Sequence, residues 1–160
     1  MSFPDIDHRG TRRLRWIWAF FVAPVVVAIA LVVIVAPSQS GGRAVWVTVI
    51  VVLAAIVDFS GVFWIRWVGA EAILSLDSND EIRAAYLHRM VLSCAFAVAP
   101  ALLAFAFVFA TGAREVFYGV AVAALLLLAY AGPRVGDIEL LDDRMVEAGR
   151  SFRVSAALDA

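Results

Sequence analysis

The sequence predicts an all-α, polytopic membrane protein whose four transmembrane helices form two tandem helical hairpins. Three observations carry the expectation. Of the 160 residues, 64% are hydrophobic and only 17% are charged, against about a quarter charged in soluble domains. The apolar residues gather into four long runs, and mean hydropathy is +0.92. Arginines flank those runs with a strong bias to one side. A soluble fold of this length has too little interior for so much apolar surface, whereas a bilayer accepts it.

The runs cover residues 16–36, 44–65, 90–110 and roughly 116–131. The first three match the ~20 residues that cross a ~30 Å hydrocarbon core. The fourth is shorter, with Arg114 and Glu115 at its start expected at the interface. Trp16, Trp18, Trp46, Trp64, Trp67, Phe117 and Tyr118 cluster at run ends like an aromatic belt. Arg12, Arg13 and Arg15 precede run one as they would a signal peptide. That run is too long for a typical apolar signal core, however, and Pro37 stands where a small-residue cleavage site belongs. It is read as a retained helix.

Runs one and two are joined by residues 37–42 (Pro-Ser-Gln-Ser-Gly-Gly), and runs three and four by Thr111, Gly112 and Ala113. Connections this short predict antiparallel neighbours. Arg9, Arg12, Arg13, Arg15, Arg66, Arg83, Arg89, Arg134, Arg144, Arg150 and Arg153 fall on one side, and Arg43 and Arg114 on the other. The positive-inside rule then puts both termini and the middle loop in the cytoplasm. All thirteen basic residues are Arg, a bias that points to a GC-rich bacterial genome and a bacterial plasma membrane.

In the middle loop, Ser78-Asn-Asp-Glu81 reads as a capping box, starting the third helix near Asn79. After Gly132 and Pro133, the residues Ile138, Leu141, Met145 and Phe152 recur near helical spacing and predict a short amphipathic helix. Its acidic face (Asp142, Asp143, Glu147) favours packing on the protein over anionic lipid. The last few residues are expected to fray.

Residues 19–32 align with 95–108 at eight identities in fourteen, with Pro24 on Pro100. Residues 40–46 (Ser-Gly-Gly-Arg-Ala-Val-Trp) likewise align with 111–117 (Thr-Gly-Ala-Arg-Glu-Val-Phe), and Gly61 with Gly132. An internal duplication follows as an expectation, with repeats over about 12–70 and 88–141 and a tail over 142–160 in a single membrane domain. Two spans per repeat imply a pseudo-twofold axis along the membrane normal. Small residues spaced by four (Ala95/Ala99, Ala97/Ala101, Ala106/Ala110, Gly119/Ala123) predict close helix contacts within a bundle or an oligomer.

This plan of paired hairpins, with an Ala-rich first helix, a short outer loop and a carboxylate in a second helix, resembles the proteolipid subunit c of rotary ATPases in its duplicated four-helix form. The likeness spans residues 12–135 in layout. It implies an ion-binding carboxylate, which here falls on Asp58 with Ala129 as its repeat counterpart. The glycines with which that family packs its first helices are absent from runs one and three.

Asp58 is the one acid inside an apolar run, and an intramembrane ionisable group is a functional candidate by default. Counted back from Trp64 and Trp67, it lies about 9–13 Å inside the interface at ~1.5 Å per residue. Two readings stand side by side. In the structural one it pairs with Arg15, Arg66 or Arg89, or is protonated and hydrogen-bonded to Ser60 or Ser93. In the other it carries ions or protons.

Pro24 and Pro100 sit near mid-run, where each frees a carbonyl and kinks its helix. That shapes packing or, as in transporters with helices interrupted at matching places, marks a substrate site. Cys94 reads as a small buried hydrophobe. His8 and His88 lie far apart without nearby carboxylates, so no metal or cofactor is expected. A net charge of −1 argues against nucleic acid. No two convergent polar groups assemble into a catalytic set.

The expected function is therefore a non-catalytic subunit or scaffold of a membrane complex, with the bilayer and further copies or other membrane subunits as partners. The alternative is a small ion, proton or solute translocator using Asp58. A lipid-directed membrane enzyme ranks third.

Overall fold

The computed structural model describes the backbone of residues 8–35, 44–112 and 114–159, and side chains over 13–35, 49–110, 112 and 114–158. The expectations for the 37–42 connection, for Ala113 and for the side chains of His8, Arg9, Arg12, Arg43 and Trp46 lie outside that set. Six helices follow one another among the described residues: α1 (His8–Val35), α2 (Ala44–Leu74), α3 (Asn79–Thr111), α4 (Arg114–Ala131), α5 (Val135–Glu147) and α6 (Val154–Asp159). The first four are each long and apolar enough to cross a membrane.

Sequence signals set the helix ends. Ser78 adopts an extended backbone, and its hydroxyl accepts the Glu81 amide at 3.3 Å. It thereby satisfies one of the orphan donors of the first turn of α3. The reciprocal bond from the Glu81 side chain is absent among the described residues. At the other end, Gly112 takes φ 72°, and its amide closes onto the Val108 carbonyl at 2.8 Å. Only glycine enters that left-handed conformation without steric cost, so α3 stops there and α4 begins two residues later. Pro24 and Pro100 are both accommodated inside continuous helices.

α3 is the central helix. It packs against α2, α4, α1 and α6, while α1 and α2 share no contact among the described residues. Burial reflects this. Among the most apolar stretches of the four helices, 44% of α3 and 33% of α4 is buried, but only 17% of α1 and of α2. α1 and α2 therefore each turn most of their surface outward, as Trp16, Phe20, Val27, Ile34, Leu53 and Val57 do.

The two long helices α2 and α3 approach closely because two glycines remove side chains between them. A Cβ on Gly61 would meet the Phe96 ring at 2.8 Å, and one on Gly69 would meet Arg89 Cδ at 3.0 Å. The first is closer than side chains pack, and the second is tight enough that the Arg89 stem would have to shift. Of the alanine pairs expected at helix contacts, Ala97/Ala101 is buried, whereas Ala99, Ala106, Ala110 and Gly119 are exposed.

The aligned halves agree in one helix and differ in the other. Leu14, Val25, Ala28 and Val32 of α1 are buried, as are Met90, Ala101, Ala104 and Val108 at the aligned positions of α3. In α2 and α4 the faces diverge: Val51 and Ala55 are buried, but the aligned Val122 and Leu126 are exposed.

α5 buries Ile138, Leu141 and Met145 against the protein itself. Beyond it, where the sequence predicts frayed residues, the chain forms α6 as far as Asp159. α6 seals Val154 and Ala157 against α3, and the Asp142 carboxylate accepts the Val154 amide at 2.6 Å and the Ser155 amide at 3.3 Å. Asp142, read from the sequence as part of a solvated acidic face, is thus the cap that folds the tail back.

Candidate functional site

The ends of α2 and α4, the start of α3 and the whole of α5 converge on a cluster of arginines around one carboxylate. Asp137, in the first turn of α5, takes Arg66 of α2 at 2.9 Å and Arg89 of α3 at 3.6 Å. Arg66 also donates to the Ala131 carbonyl at 3.3 Å, one of the carbonyls left open where α4 ends. Its guanidinium lies over the Tyr130 ring at 4.8 Å, and Arg134 approaches the same ring at 5.4 Å while donating to the Ala129 carbonyl at 2.8 Å. Stacking on an aromatic face suits the planar guanidinium and fixes its orientation.

Arg89 is the most enclosed of these groups, its side chain only 8% exposed. The missing side chain of Gly69 leaves room for its aliphatic stem. Its Nε and one terminal nitrogen have no acceptor, and neither does the wholly buried Ser93 hydroxyl one turn further along α3. Arg66, Arg89 and Asp137, but not Ser93, border a cavity of about 360 Å³ walled by Phe63, Trp67, Leu140 and Leu141, with Arg144 also lining it. Arg144 contacts the exposed Glu71 at 3.6 Å. A second, larger cavity of about 620 Å³ lies between α1 and α4, with Arg15 and Arg134 beside Trp16, Trp18 and Ala129.

One polar bond links α1 and α4 among the described residues. The Trp18 indole N–H donates to the Leu128 carbonyl at 2.7 Å, which also accepts the Gly132 amide at 2.8 Å. A Cβ on Gly132 would stand 2.9 Å from the indole nitrogen.

The arginines offered as partners of Asp58 are engaged elsewhere. Arg66 and Arg89 serve Asp137, and Arg15 is exposed on α1. Ser60 donates to its own Ile56 carbonyl at 2.7 Å, a bond internal to α2. Asp58 itself makes no hydrogen bond or ion pair with any described residue. Because Gly61 faces Phe96 and Gly69 faces Arg89, α2 and α3 run antiparallel, and Asp58 is level with Ala99 and Pro100. That level is well away from Ser93. Asp58 is half-buried on the face of α2 that carries buried Ala55 and Val62, and lines none of these cavities. Pro24 is exposed and Pro100 buried, so the two prolines do not line a common site.

Asp137 was missed from sequence because it lies past the last apolar run, where an acid reads as solvated surface. Its place at the start of α5, next to the end of α4, was the available signal. No group of three His, Cys, Asp or Glu side chains able to hold a metal occurs among the described residues. No family model, curated protein or solved structure matches the chain.

Proposed function

We propose that this chain is a non-catalytic integral membrane protein that crosses a bacterial plasma membrane four times with both termini cytoplasmic, and acts as a subunit or scaffold of a larger membrane assembly. The observation that carries the reading is Asp58 of α2, half-buried one turn from Ala55 and Val62 and without a hydrogen-bond or ion-pair partner among the described residues. An acid without a partner costs up to about 2.5–3.5 kcal/mol at the bilayer centre on insertion scales, and less at the intermediate depth counted for Asp58. A donor from a neighbouring subunit would offset that cost. The sparse burial of α1 and α2, which do not touch one another, leaves two helix faces open to such a neighbour. The order of spans resembles that of subunit c, without the glycine packing of its first helices and with α1 and α2 not packed against one another as the expected first hairpin among the described residues.

Native mass spectrometry of the full chain in mild detergent, wild type beside Asp58→Leu, tests this reading. A defined homo- or hetero-oligomer that dissociates in the variant supports it. A wild type that is monomeric under every mild extraction overturns it. The second reading, translocation through Asp58, rests on the same unpaired acid, and a wild-type monomer whose proton or ion flux in liposomes vanishes in Asp58→Asn would favour it instead.

A further inference from the structure

We propose that the cavity beside Arg89 is a binding site for a phosphate-bearing anion. The inference is independent of the assembly reading, because it needs neither Asp58 nor a partner subunit. Three observations combine. First, the charges do not balance: Arg66 and Arg89 share the single carboxylate of Asp137, with the closer contact going to Arg66. Second, Arg89 is more than nine-tenths buried, lines the cavity, and keeps two of its three guanidinium nitrogens, both enclosed, without an acceptor among the described residues. A buried cation with unmet donors is costly unless an anion or water completes its shell. Third, the space is real, about 360 Å³, and Arg144 adds another positive group to its lining.

Tetrahedral oxyanions suit this arrangement. A phosphate group offers several acceptor oxygens at once to guanidinium donors arriving from different helices, which charge-assisted hydrogen bonds reward. The guanidiniums are also held in advance: Arg66 by the Tyr130 ring and the Ala131 carbonyl, Arg89 by the space above Gly69. The apolar walls, Phe63 and Trp67 from α2 and Leu140 from α5, are partly exposed and continue the outward surface of α2. A diacyl phospholipid headgroup and a free small phosphate share the required chemistry.

The test uses the full chain in detergent with two probes. Phosphatidylglycerol is compared with phosphatidylcholine by native mass spectrometry, and inorganic phosphate is titrated against thermal unfolding. Two variants accompany the wild type: Arg89→Gln, which removes the buried charge, and Leu140→Trp, which fills the cavity from an exposed wall position and leaves every arginine in place.

A tenfold or greater preference of the wild type for phosphatidylglycerol, lost in both variants, establishes the site as a lipid headgroup site. Stabilisation by inorganic phosphate in the wild type alone, without lipid preference, establishes a site for a free phosphate. If Arg89→Gln does not fold, Leu140→Trp decides by itself. Equal behaviour of wild type and Leu140→Trp towards both probes overturns the proposal.

Discussion

Replacing Gly132 by alanine isolates the contact that anchors α1 to α4. The new Cβ would lie 2.9 Å from the Trp18 indole nitrogen, 3.1 Å from its Cδ1 and 3.2 Å from the Leu128 carbonyl oxygen. All three approaches fall inside van der Waals contact, and the indole is a rigid ring that cannot fold away locally. Trp18 must withdraw, and its 2.7 Å hydrogen bond to Leu128 goes with it. Interhelical hydrogen bonds in membranes contribute about 0.6 kcal/mol on average, and overpacking a fitted contact costs about 1–3 kcal/mol. The net expectation is a loss of about 2 kcal/mol, felt mainly by α1.

Gly119→Ala supplies the matched control. It sits inside α4 with nothing within 4 Å of the new Cβ, so it should gain about 0.5–1 kcal/mol from reduced backbone freedom. Reversible unfolding in mixed detergent micelles, followed by circular dichroism, orders the three proteins. Hydrogen exchange over α1 locates the change. A Gly132→Ala protein as stable as Gly119→Ala, with α1 exchange unaltered, would refute the steric argument.

Three further outcomes follow from the same contacts. Asp137→Asn removes the carboxylate shared by two enclosed guanidiniums and should destabilise by about 3–5 kcal/mol, seen as α5 becoming protease-sensitive well below the main unfolding transition. Asp142→Ala strips the cap from α6 and should cost about 0.5–2 kcal/mol, with exchange rising over residues 154–159 while α2 stays protected. Gly69→Ala pushes on the Arg89 stem. Because the remedy is to move that side chain, it should loosen the α2–α3 contact more than Ser78→Ala loosens the first turn of α3, as judged by disulfide trapping between α2 and α3.

The sequence made the four apolar helices legible because length and composition alone specify them, and α3 begins at Asn79 because Ser78 is a cap that local chemistry announces. The buried face of α5 was legible for the same reason, from the spacing of Ile138, Leu141 and Met145. What periodicity does not carry is which outward face meets which helix. In lipid-facing helices every side is apolar, so no pattern told Gly61 and Gly69 apart from the exposed Gly119, or revealed that α3 and not α1 would pack on α2. The arginine cluster was hidden for a related reason. Charge counting assigns Arg66 and Arg89 to a side of the membrane, but their carboxylate comes from Asp137 across a chain reversal at Gly132 and Pro133. Asp58, prominent in the sequence, has no hydrogen-bond or ion-pair partner among the described residues.

The account rests on the four helices crossing a membrane with the arginine-rich ends in the cytoplasm, and cysteine labelling tests this most directly. In a Cys94→Ala background, single cysteines at Ser38 and Ser151 are challenged with a membrane-impermeant maleimide on intact bacterial spheroplasts and after permeabilisation. The predicted result is labelling of the Ser38→Cys protein in intact spheroplasts and of the Ser151→Cys protein only once they are opened. Labelling of Ser151→Cys from outside, or release of the protein from membranes by alkaline carbonate, would contradict it.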